Sequence, residues 1–134
     1  MNWSIAPLAL AALLLALAAG TAGAADPLPA IQASAQASGS FKGFSAERGA
    51  AFFRAKGSDW SCATCHTLDP RKPGRHTVTG KAIEPMAPGV NPKRLTDVAK
   101  VEKWFKRNCR DVLDRECTAL EKGDVITYLR SLGR

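Results

Sequence analysis

The nine residues WSCATCHTL, positions 60 to 68, decide how this chain folds. Within them Cys62 and Cys65 are three apart, and His66 follows the second cysteine directly. On a helical turn, two cysteines at this spacing lie on one face. Both sulfurs can then form thioethers with the two vinyl groups of a haem, while the next residue aims its imidazole at the iron. The sequence therefore predicts one covalently attached haem c, with His66 as the proximal iron ligand.

A C-x-x-C pair has two other common uses, as a redox-active dithiol and as half of a zinc site. The dithiol is typical of a thioredoxin-like fold, and this chain lacks the alternating strands and helices of such a fold. A zinc site needs a matching second pair of ligands, and no second C-x-x-C follows downstream. Covalent haem is therefore the favoured interpretation, because a large apolar cofactor also explains how so short a chain forms a core.

The segments around the motif predict helices and one long loop. Helical spacing of apolar residues predicts one helix from about Ser45 to Lys56, another from about Thr96 to Asn108, and a third over residues 121–132. No alternating strand pattern is visible. Five of the eight prolines lie between residues 70 and 94, so this segment must be an irregular loop that packs on something large.

Helix, C-x-x-C-H, long loop and terminal helix are the parts of a class I cytochrome c. In such a fold the first and last helices cross at a small residue, which Gly49 provides, and Phe53 then packs against Tyr128 or Leu129. The sequence therefore predicts an all-α, class I cytochrome c-like domain over residues 45–134, wrapped around one haem.

The first 24 residues predict an export signal. They contain no charged side chain, a long Ala/Leu run and then Ala22, Gly23 and Ala24, the small-residue pattern that signal peptidase cleaves. A single membrane anchor is the alternative, but the apolar run is shorter than the ~20 residues of a spanning helix. We therefore expect a periplasmic mature protein that does not span the membrane. Residues 25–44, rich in Ala, Ser and Gln, predict a loosely held arm with one helical turn at most.

Several side chains compete for the sixth position on the iron. Met86 lies in the proline-flanked loop IEPMAPG, but only 20 residues separate it from His66, a short path around the haem edge. His76 is closer still along the chain, and the lysines are mostly surface residues. Asn108 ends the predicted helix that begins at about Thr96, one turn after Trp104. These residues alone leave the choice open between Met86 as a permanent ligand and Asn108 as a ligand or a simple helix cap.

The run from Glu47 to Leu129 resembles the sphaeroides haem protein (SHP) family of monohaem cytochromes c. The segments that carry the resemblance are TGKAIEPMAP (79–88), VEKWFKRNC (101–109), and REC followed by EKGD (115–117 and 121–124). The resemblance covers about 80 residues and is most specific at the RNC…C segment.

The resemblance implies a distal ligand and a disulfide. In this family the asparagine before the first non-haem cysteine is the distal ligand of ferric iron and leaves on reduction, and the two following cysteines are bonded. These positions are Asn108, Cys109 and Cys117 here. An amide oxygen is a hard, neutral donor that suits Fe(III), whereas Fe(II) prefers softer ligands, so release on reduction is chemically reasonable. The resemblance assigns no role to Met86.

The charge distribution predicts the kind of partner. Between Arg71 and Arg110, eleven Lys or Arg residues stand against three acidic residues, a local net charge of +8. A patch of this sign can steer an acidic redox partner, although scattered solvated side chains would give the same count. The resemblance implies a dihaem cytochrome c as the electron donor. We expect no nucleic acid partner for an exported protein.

Two functional classes follow from these observations. The first is a ligand-binding haem protein that accepts electrons from a cytochrome and then binds a small diatomic molecule, such as O₂ or NO, at the position that Asn108 leaves. The second is a plain electron-transfer cytochrome c with Met86 as a permanent ligand. The sequence does not decide whether turnover occurs; the enzyme class to expect is a haem-dependent oxidoreductase that acts on O₂, NO or a related small molecule.

Overall fold

A computed structural model describes residues 25–133 and consists mainly of helices, which confirms the predicted all-α class. The predicted signal peptide, residues 1–24, lies outside the described residues. The helices are α1 (Leu28–Gln36), α2 (Ala46–Arg54), α3 (Cys62–His66), α4 (Val98–Leu113) and α5 (Ala119–Ser131). Over residues 25–133, none of the helices has both the length and the apolar composition that crossing a membrane requires.

One feature of the loop was not predicted. Strands β1 (Gly74–Arg75) and β2 (Ala82–Ile83) form a short antiparallel pair, so the loop contains a small hairpin. Two residues per strand are too few to produce an alternating apolar pattern, so no strand was predicted here. The turn is closed by hydrogen bonds from the His76 N–H to the Lys81 carbonyl and from the Gly80 N–H to the His76 carbonyl, at 2.9 and 2.8 Å.

Side-chain caps fix where the helices begin. Ser45 accepts a hydrogen bond from the Arg48 N–H at the start of α2, and Asp97 does the same for α4. Helices α3 and α5 begin with complete capping boxes, formed by Ser61 with Thr64 and by Thr118 with Glu121. Each cap satisfies backbone donors that the first turn of a helix would otherwise leave unpaired. The beginning of α3 is therefore fixed directly at Cys62.

The crossing of α2 and α5 forms the centre of the domain. A Cβ atom on Gly49 would lie 2.0 Å from the Asp124 carbonyl oxygen, so only glycine permits the two backbones to approach this closely. One turn later, the ring centroids of Phe53 and Tyr128 are 5.7 Å apart. The buried Asp124 carboxylate is neutralised by Arg48, with an Nε to Oδ2 distance of 2.7 Å. These contacts are those that a class I cytochrome c-like crossing requires.

Two groups of apolar residues form the core. The main cluster consists of buried Phe53, Ala63, Val125, Tyr128 and Leu129, with partly buried neighbours that include Cys62, Met86, Leu95 and Phe105. The second cluster consists of buried Ile31, Val101 and Ile126, again with Leu95 and Phe105 packed against it. Leu95 and Phe105 thus contact both clusters and join them.

The expectation of a loosely held arm is wrong for residues 28–36. This segment forms α1, a nine-residue helix that packs against α5 with Ile31 and Ala35 buried. Asp26 anchors its start, because its carboxylate pairs with Arg130 at 2.7 Å and accepts a hydrogen bond from the Leu28 N–H at 2.9 Å. Ile31 and Ala35 lie four residues apart on one face of α1, and α5 supplies the surface against which the helix packs.

Helix α4 is longer than predicted, and Asn108 is not its last residue. The helix continues to Leu113 and ends where Asp114 adopts a left-handed conformation with φ 55°. Residues 109–113 contain no glycine or proline, so nothing in them stops a helix after Asn108. Asn108 therefore lies in the last third of α4, and the alternative role of a helix cap is excluded by its position.

Candidate haem-binding site

Helix α3 places the two cysteines of the motif on one turn. Cys62 and Cys65 are both unpaired and half-buried, and Ala63 between them is buried in the main cluster. Burial raises the pKa of the Cys62 thiol to about 11. A redox-active dithiol needs a cysteine of lowered pKa, so this environment suits thiols that serve as attachment points and not a thioredoxin-like pair.

His66 ends α3 with its imidazole next to the core. Desolvation, assisted by the charge of Arg94, lowers the pKa of His66 to about 4, so the ring is neutral at physiological pH. A neutral imidazole is the form that binds a metal. Its Nδ1 atom is buried without a hydrogen-bond partner within residues 25–133. The Phe53 ring lies 6.2 Å from the imidazole, at an interplanar angle of 42°.

The chain turns sharply directly after His66. Thr67 has φ 65° and ψ 164°, a strained combination for a β-branched residue, and its hydroxyl donates a 2.6 Å hydrogen bond to the Asp69 carbonyl. The hairpin then returns onto α3, since a Cβ atom on Gly74 would lie 2.0 Å from the Cys65 carbonyl oxygen. The backbone around the motif is therefore closely fixed on its hairpin side.

The residues present fit a large, flat, apolar cofactor. Cys62 packs against the main cluster, whose aromatic members include Phe53 and Tyr128. Two apolar residues outside this cluster are exposed. Leu68, which follows the motif, is 72% exposed, and Val78, in the hairpin, is 70% exposed. Two attachment thiols, a neutral imidazole and an apolar wall form the donor set and surroundings of a haem c.

Among the residues that the structure describes, no group of three or more His, Cys, Asp or Glu side chains is placed to hold a metal ion. His76, weighed above as a sixth ligand, has its Nδ1 atom engaged in the hairpin. That atom accepts hydrogen bonds from the N–H groups of Val78 and Thr79, both at 3.3 Å. The ring therefore stabilises the turn.

Met86 lies beside the segment that leaves His66. Its backbone N–H donates to the Pro70 carbonyl at 2.8 Å, and the N–H of buried Ala87 donates to the same oxygen at 3.1 Å. Pro70 follows His66 by only four residues. A sixth ligand must approach the iron from the face opposite to the proximal histidine, and this pair of hydrogen bonds holds the Met86 backbone close to the proximal segment.

Asn108 is carried past the same core by α4. Phe105, three residues before it, packs against the main cluster, which includes Ala63 of the motif. Asn108 itself is half-buried and belongs to neither cluster. One turn before it, Trp104 is 49% exposed, and the Arg107 guanidinium lies 5.7 Å from the centre of its ring.

Helix α4 is attached to the rest of the protein along its length, and two of these attachments lie near its end. The structure joins Cys109 to Cys117 in a disulfide with a Cα–Cα distance of 5.7 Å, and both cysteines are buried. The Val112 carbonyl lies against Gly57, where a Cβ atom would approach it within 1.8 Å. On the N-terminal half, the chief polar link is the 2.6 Å ion pair between Glu102 and Lys122 of α5.

Sequence reasoning missed two features of this site. Arg94 was counted only as one of many basic residues, yet it lies close enough to His66 to affect its pKa. The pair between Glu102 and Lys122 joins residues 20 positions apart, and no local spacing rule links them.

Comparison with known proteins places these observations in a family. The model of a domain of unknown function, DUF1924, matches residues 39–129. The cytochrome c-type protein SHP of Cereibacter sphaeroides is 42% identical over 122 residues, which cover 87% of this chain and 94% of that protein. Cytochrome c'' of Methylophilus methylotrophus is 48% identical over 73 residues, which cover 54% of this chain and about half, 51%, of the relative.

Solved structures agree with these relatives. The structure of oxidised SHP, described as an oxygen-binding cytochrome c, is 41% identical with a TM-score of 0.71 and covers 81% of this chain and 99% of its own. The crystal structure of oxidised cytochrome c'' is 37% identical with a TM-score of 0.69, and the match covers 78% of this chain and 89% of that one. The matches in sequence and structure show that the chain belongs to the DUF1924 family and to the SHP family of c-type haem proteins, which carry a covalently bound haem and its iron.

Proposed function

We propose that this protein is an exported haem c protein that is reduced by a cytochrome partner and then binds a small ligand such as O₂ or NO. Cys62 and Cys65 carry the haem, His66 is the proximal ligand, and Asn108 occupies the sixth position only in the ferric state. Ligand binding agrees with the description of the related SHP as an oxygen-binding cytochrome c. A solution structure of cytochrome c'', 38% identical with a TM-score of 0.66, is described in terms of haem-ligand detachment.

The observation that carries this proposal is the position of Asn108 on α4. Phe105, one turn before Asn108, packs against the main cluster that includes Ala63 of the motif, and Asn108 itself is half-buried. We infer that its side chain reaches an iron bound at His66 and leaves without opening the core. The bound haem supplies one-electron chemistry and, when reduced, affinity for small diatomic molecules.

The donor properties of the amide explain why the oxidation state of the iron would decide whether Asn108 is bound. An amide oxygen is a hard and weak neutral donor, so Asn108 gains more from Fe(III) than from Fe(II). Helix α4 is fixed near its end by the Cys109–Cys117 disulfide and by the contact of Val112 with Gly57. We infer that Asn108 withdraws by a small movement of its side chain and the adjacent turn, since the covalent link at Cys109 limits the movement of the backbone.

A plain electron carrier with Met86 as the sixth ligand is the second candidate. It is favoured by the partly buried position of Met86 against the main cluster. The two hydrogen bonds from Met86 and Ala87 to the Pro70 carbonyl count against it, because they hold this loop near the segment that follows His66. We therefore propose that Met86 is a packing residue on the proximal side.

The partner that we propose is an acidic electron-donor cytochrome, with a dihaem cytochrome c as the type that the family resemblance implies. Helix α4 presents a continuous basic face beside exposed Trp104, and its exposed members are Lys100, Lys103, Lys106, Arg107 and Arg110. Of these, Arg107 and Arg110 have nearby acidic groups, Asp111 at 3.8 Å and Glu116 at 2.8 Å. Attraction between opposite charges would guide such a partner toward the haem side of α4. We place the encounter in the periplasm.

The test compares Asn108→Ala with Met86→Ala in the full-length holoprotein. Asn108→Ala should convert the ferric optical and paramagnetic resonance spectra to those of a water-bound or five-coordinate iron. Its ferrous CO-binding rate should stay within about twofold of the wild type, because the amide has already left in that state. Met86→Ala should leave both oxidation states spectroscopically unchanged. Loss of the sixth ligand in Met86→Ala, with an unchanged ferric spectrum in Asn108→Ala, would establish the plain carrier instead.

A further inference from the structure

Thr67, the residue bonded directly to His66, has a backbone conformation that is almost restricted to glycine. Its φ of 65° and ψ of 164° lie in a region that is unfavourable for any residue with a Cβ atom, and most of all for a β-branched one. Such a conformation persists only where the surrounding structure holds it, and conformations of this kind are concentrated at functional sites.

The side chain of Thr67 itself holds this strained turn. Its hydroxyl donates to the Asp69 carbonyl at 2.6 Å, and the Lys72 N–H donates to the same oxygen at 2.9 Å. Pro70, the residue after Asp69, is fully buried. The Thr67 hydroxyl therefore connects the end of α3 to a segment that is anchored in the interior of the protein.

The orientation of the His66 ring depends on the backbone around it. A ligating histidine usually donates its second ring N–H to a carbonyl or carboxylate, and this bond fixes the orientation of the ring. Within residues 25–133, the buried Nδ1 atom of His66 has no such partner. The Phe53 ring lies 6.2 Å away and offers the imidazole an apolar neighbour without a hydrogen bond.

The backbone is held by different means before and after His66. On the N-terminal side, the capping box of α3 fixes the helix, and a Cβ atom on Gly74 would lie only 3.1 Å from the His66 Cα. On the C-terminal side, Thr67 is the first residue outside α3, and its dihedral angles set the direction in which the chain leaves. Relaxation of Thr67 would therefore turn the backbone that carries the imidazole.

We propose that Thr67 is a positioning residue that sets the orientation of the His66 imidazole at the haem iron, because its hydroxyl holds the strained turn. The inference rests on the proposed role of His66 as proximal ligand, but it does not depend on which side chain occupies the sixth position. The competing role is a purely structural one, in which the hydroxyl only stabilises the loop.

Three substitutions separate the hydrogen bond from the strain. Thr67→Val keeps the shape of the side chain and lacks the hydroxyl, so the strained turn should relax. Thr67→Ser keeps the hydroxyl, and Thr67→Gly adopts the observed dihedral angles without strain, so both should keep the turn. The loss of one hydrogen bond shifts such an equilibrium by about tenfold.

The measurement is proton NMR of the haem methyl groups in the full-length ferric holoprotein with bound cyanide. The pattern of these shifts depends on the plane of the histidine ring, and cyanide fills the sixth position in every variant. Thr67→Val should show a second set of methyl signals, about tenfold more populated than in the wild type. Thr67→Ser and Thr67→Gly should stay within about twofold of the wild-type populations.

Thr127→Val is the matched control, because it removes a partly buried hydroxyl that donates to the Gly123 carbonyl at 2.8 Å within α5. It should leave the methyl pattern unchanged. Thr67→Ala also lacks the hydroxyl and should show the second set, which keeps the test available if the valine variant fails to fold. A wild-type pattern in the variants without the hydroxyl, or equal changes in Thr67→Val and Thr67→Gly, would overturn the inference. A failure of the proposed role of Asn108 would appear separately, in the Asn108→Ala spectrum without cyanide.

Discussion

Removal of the Cys109–Cys117 disulfide should both destabilise the fold and loosen the sixth position. The disulfide joins residues eight positions apart and spans the turn between α4 and α5. Closing a loop of this length restricts the unfolded chain by about 2.5 kcal/mol at 25 °C in the chain-entropy model. Alanine fills most of the space of either buried cysteine, so we expect the Cys109→Ala/Cys117→Ala variant to lose about that amount of unfolding free energy.

The effect on the iron follows from the position of Asn108 next to Cys109. Without the disulfide, the last turns of α4 are held by the contact of Val112 with Gly57 and by the exposed pair between Arg110 and Glu116. An exposed pair contributes only about 0–1 kcal/mol. The turn that carries Asn108 should therefore move more freely, and a fraction of the ferric molecules should show the spectrum of iron that has lost its amide ligand.

The assay is guanidinium unfolding of the ferric holoprotein followed by circular dichroism, together with the ferric optical spectrum. The midpoint should fall, while the denaturant dependence should stay the same or rise slightly, because the unfolded chain is less restricted without the disulfide. Arg110→Ala is the matched control, because it removes the exposed pair at the same helix end and should cost no more than about 1 kcal/mol. A double variant that loses less than the control and keeps the wild-type ferric spectrum would refute the reasoning.

Two further predictions concern attachment and partner binding. Cys62→Ala/Cys65→Ala should yield protein without covalent haem by mass spectrometry and with clearly reduced helix content, since the cofactor completes an apolar wall; a double variant with native helix content would contradict this. Lys103→Glu/Lys106→Glu should slow reduction by an acidic cytochrome donor at low salt by about tenfold or more, with the difference shrinking as ionic strength rises. An unchanged rate at low salt would place the encounter surface elsewhere.

The parts of the fold that local sequence rules describe were predictable. The C-x-x-C-H motif and the cap at Ser45 each depend on residues within one or two turns of each other. The close approach of the helices at Gly49 depends on the absence of a side chain there. The family resemblance then supplied Asn108 and the disulfide pairing, which spacing alone left open. The roles of these site residues in iron binding stay predictions.

The remaining features depend on contacts between distant segments. Helix α1 is held by Ile31 in the second cluster and by Asp26 against Arg130, a pair 104 residues apart in the chain. Helix α4 ends at Asp114, which adopts a left-handed conformation. This position is not a glycine, so the sequence does not indicate the end of the helix. The placement of Arg94 depends on the strained Leu95 and on two carbonyls in another part of the loop. Such positions are determined by packing and not by local preference.

The half-buried position of Asn108, a polar residue on α4, has a consequence for the evolution of this scaffold. Mutations at position 108 alter little of the packing that keeps the chain folded, so they are not filtered by stability as mutations at Phe53 or Ile126 would be. If Asn108 is the sixth ligand, as proposed above, a lineage could exchange one donor atom for another at this point while the chain stays folded. The chemistry of the centre can diversify by single substitutions, while the residues that encode the architecture remain under separate constraint.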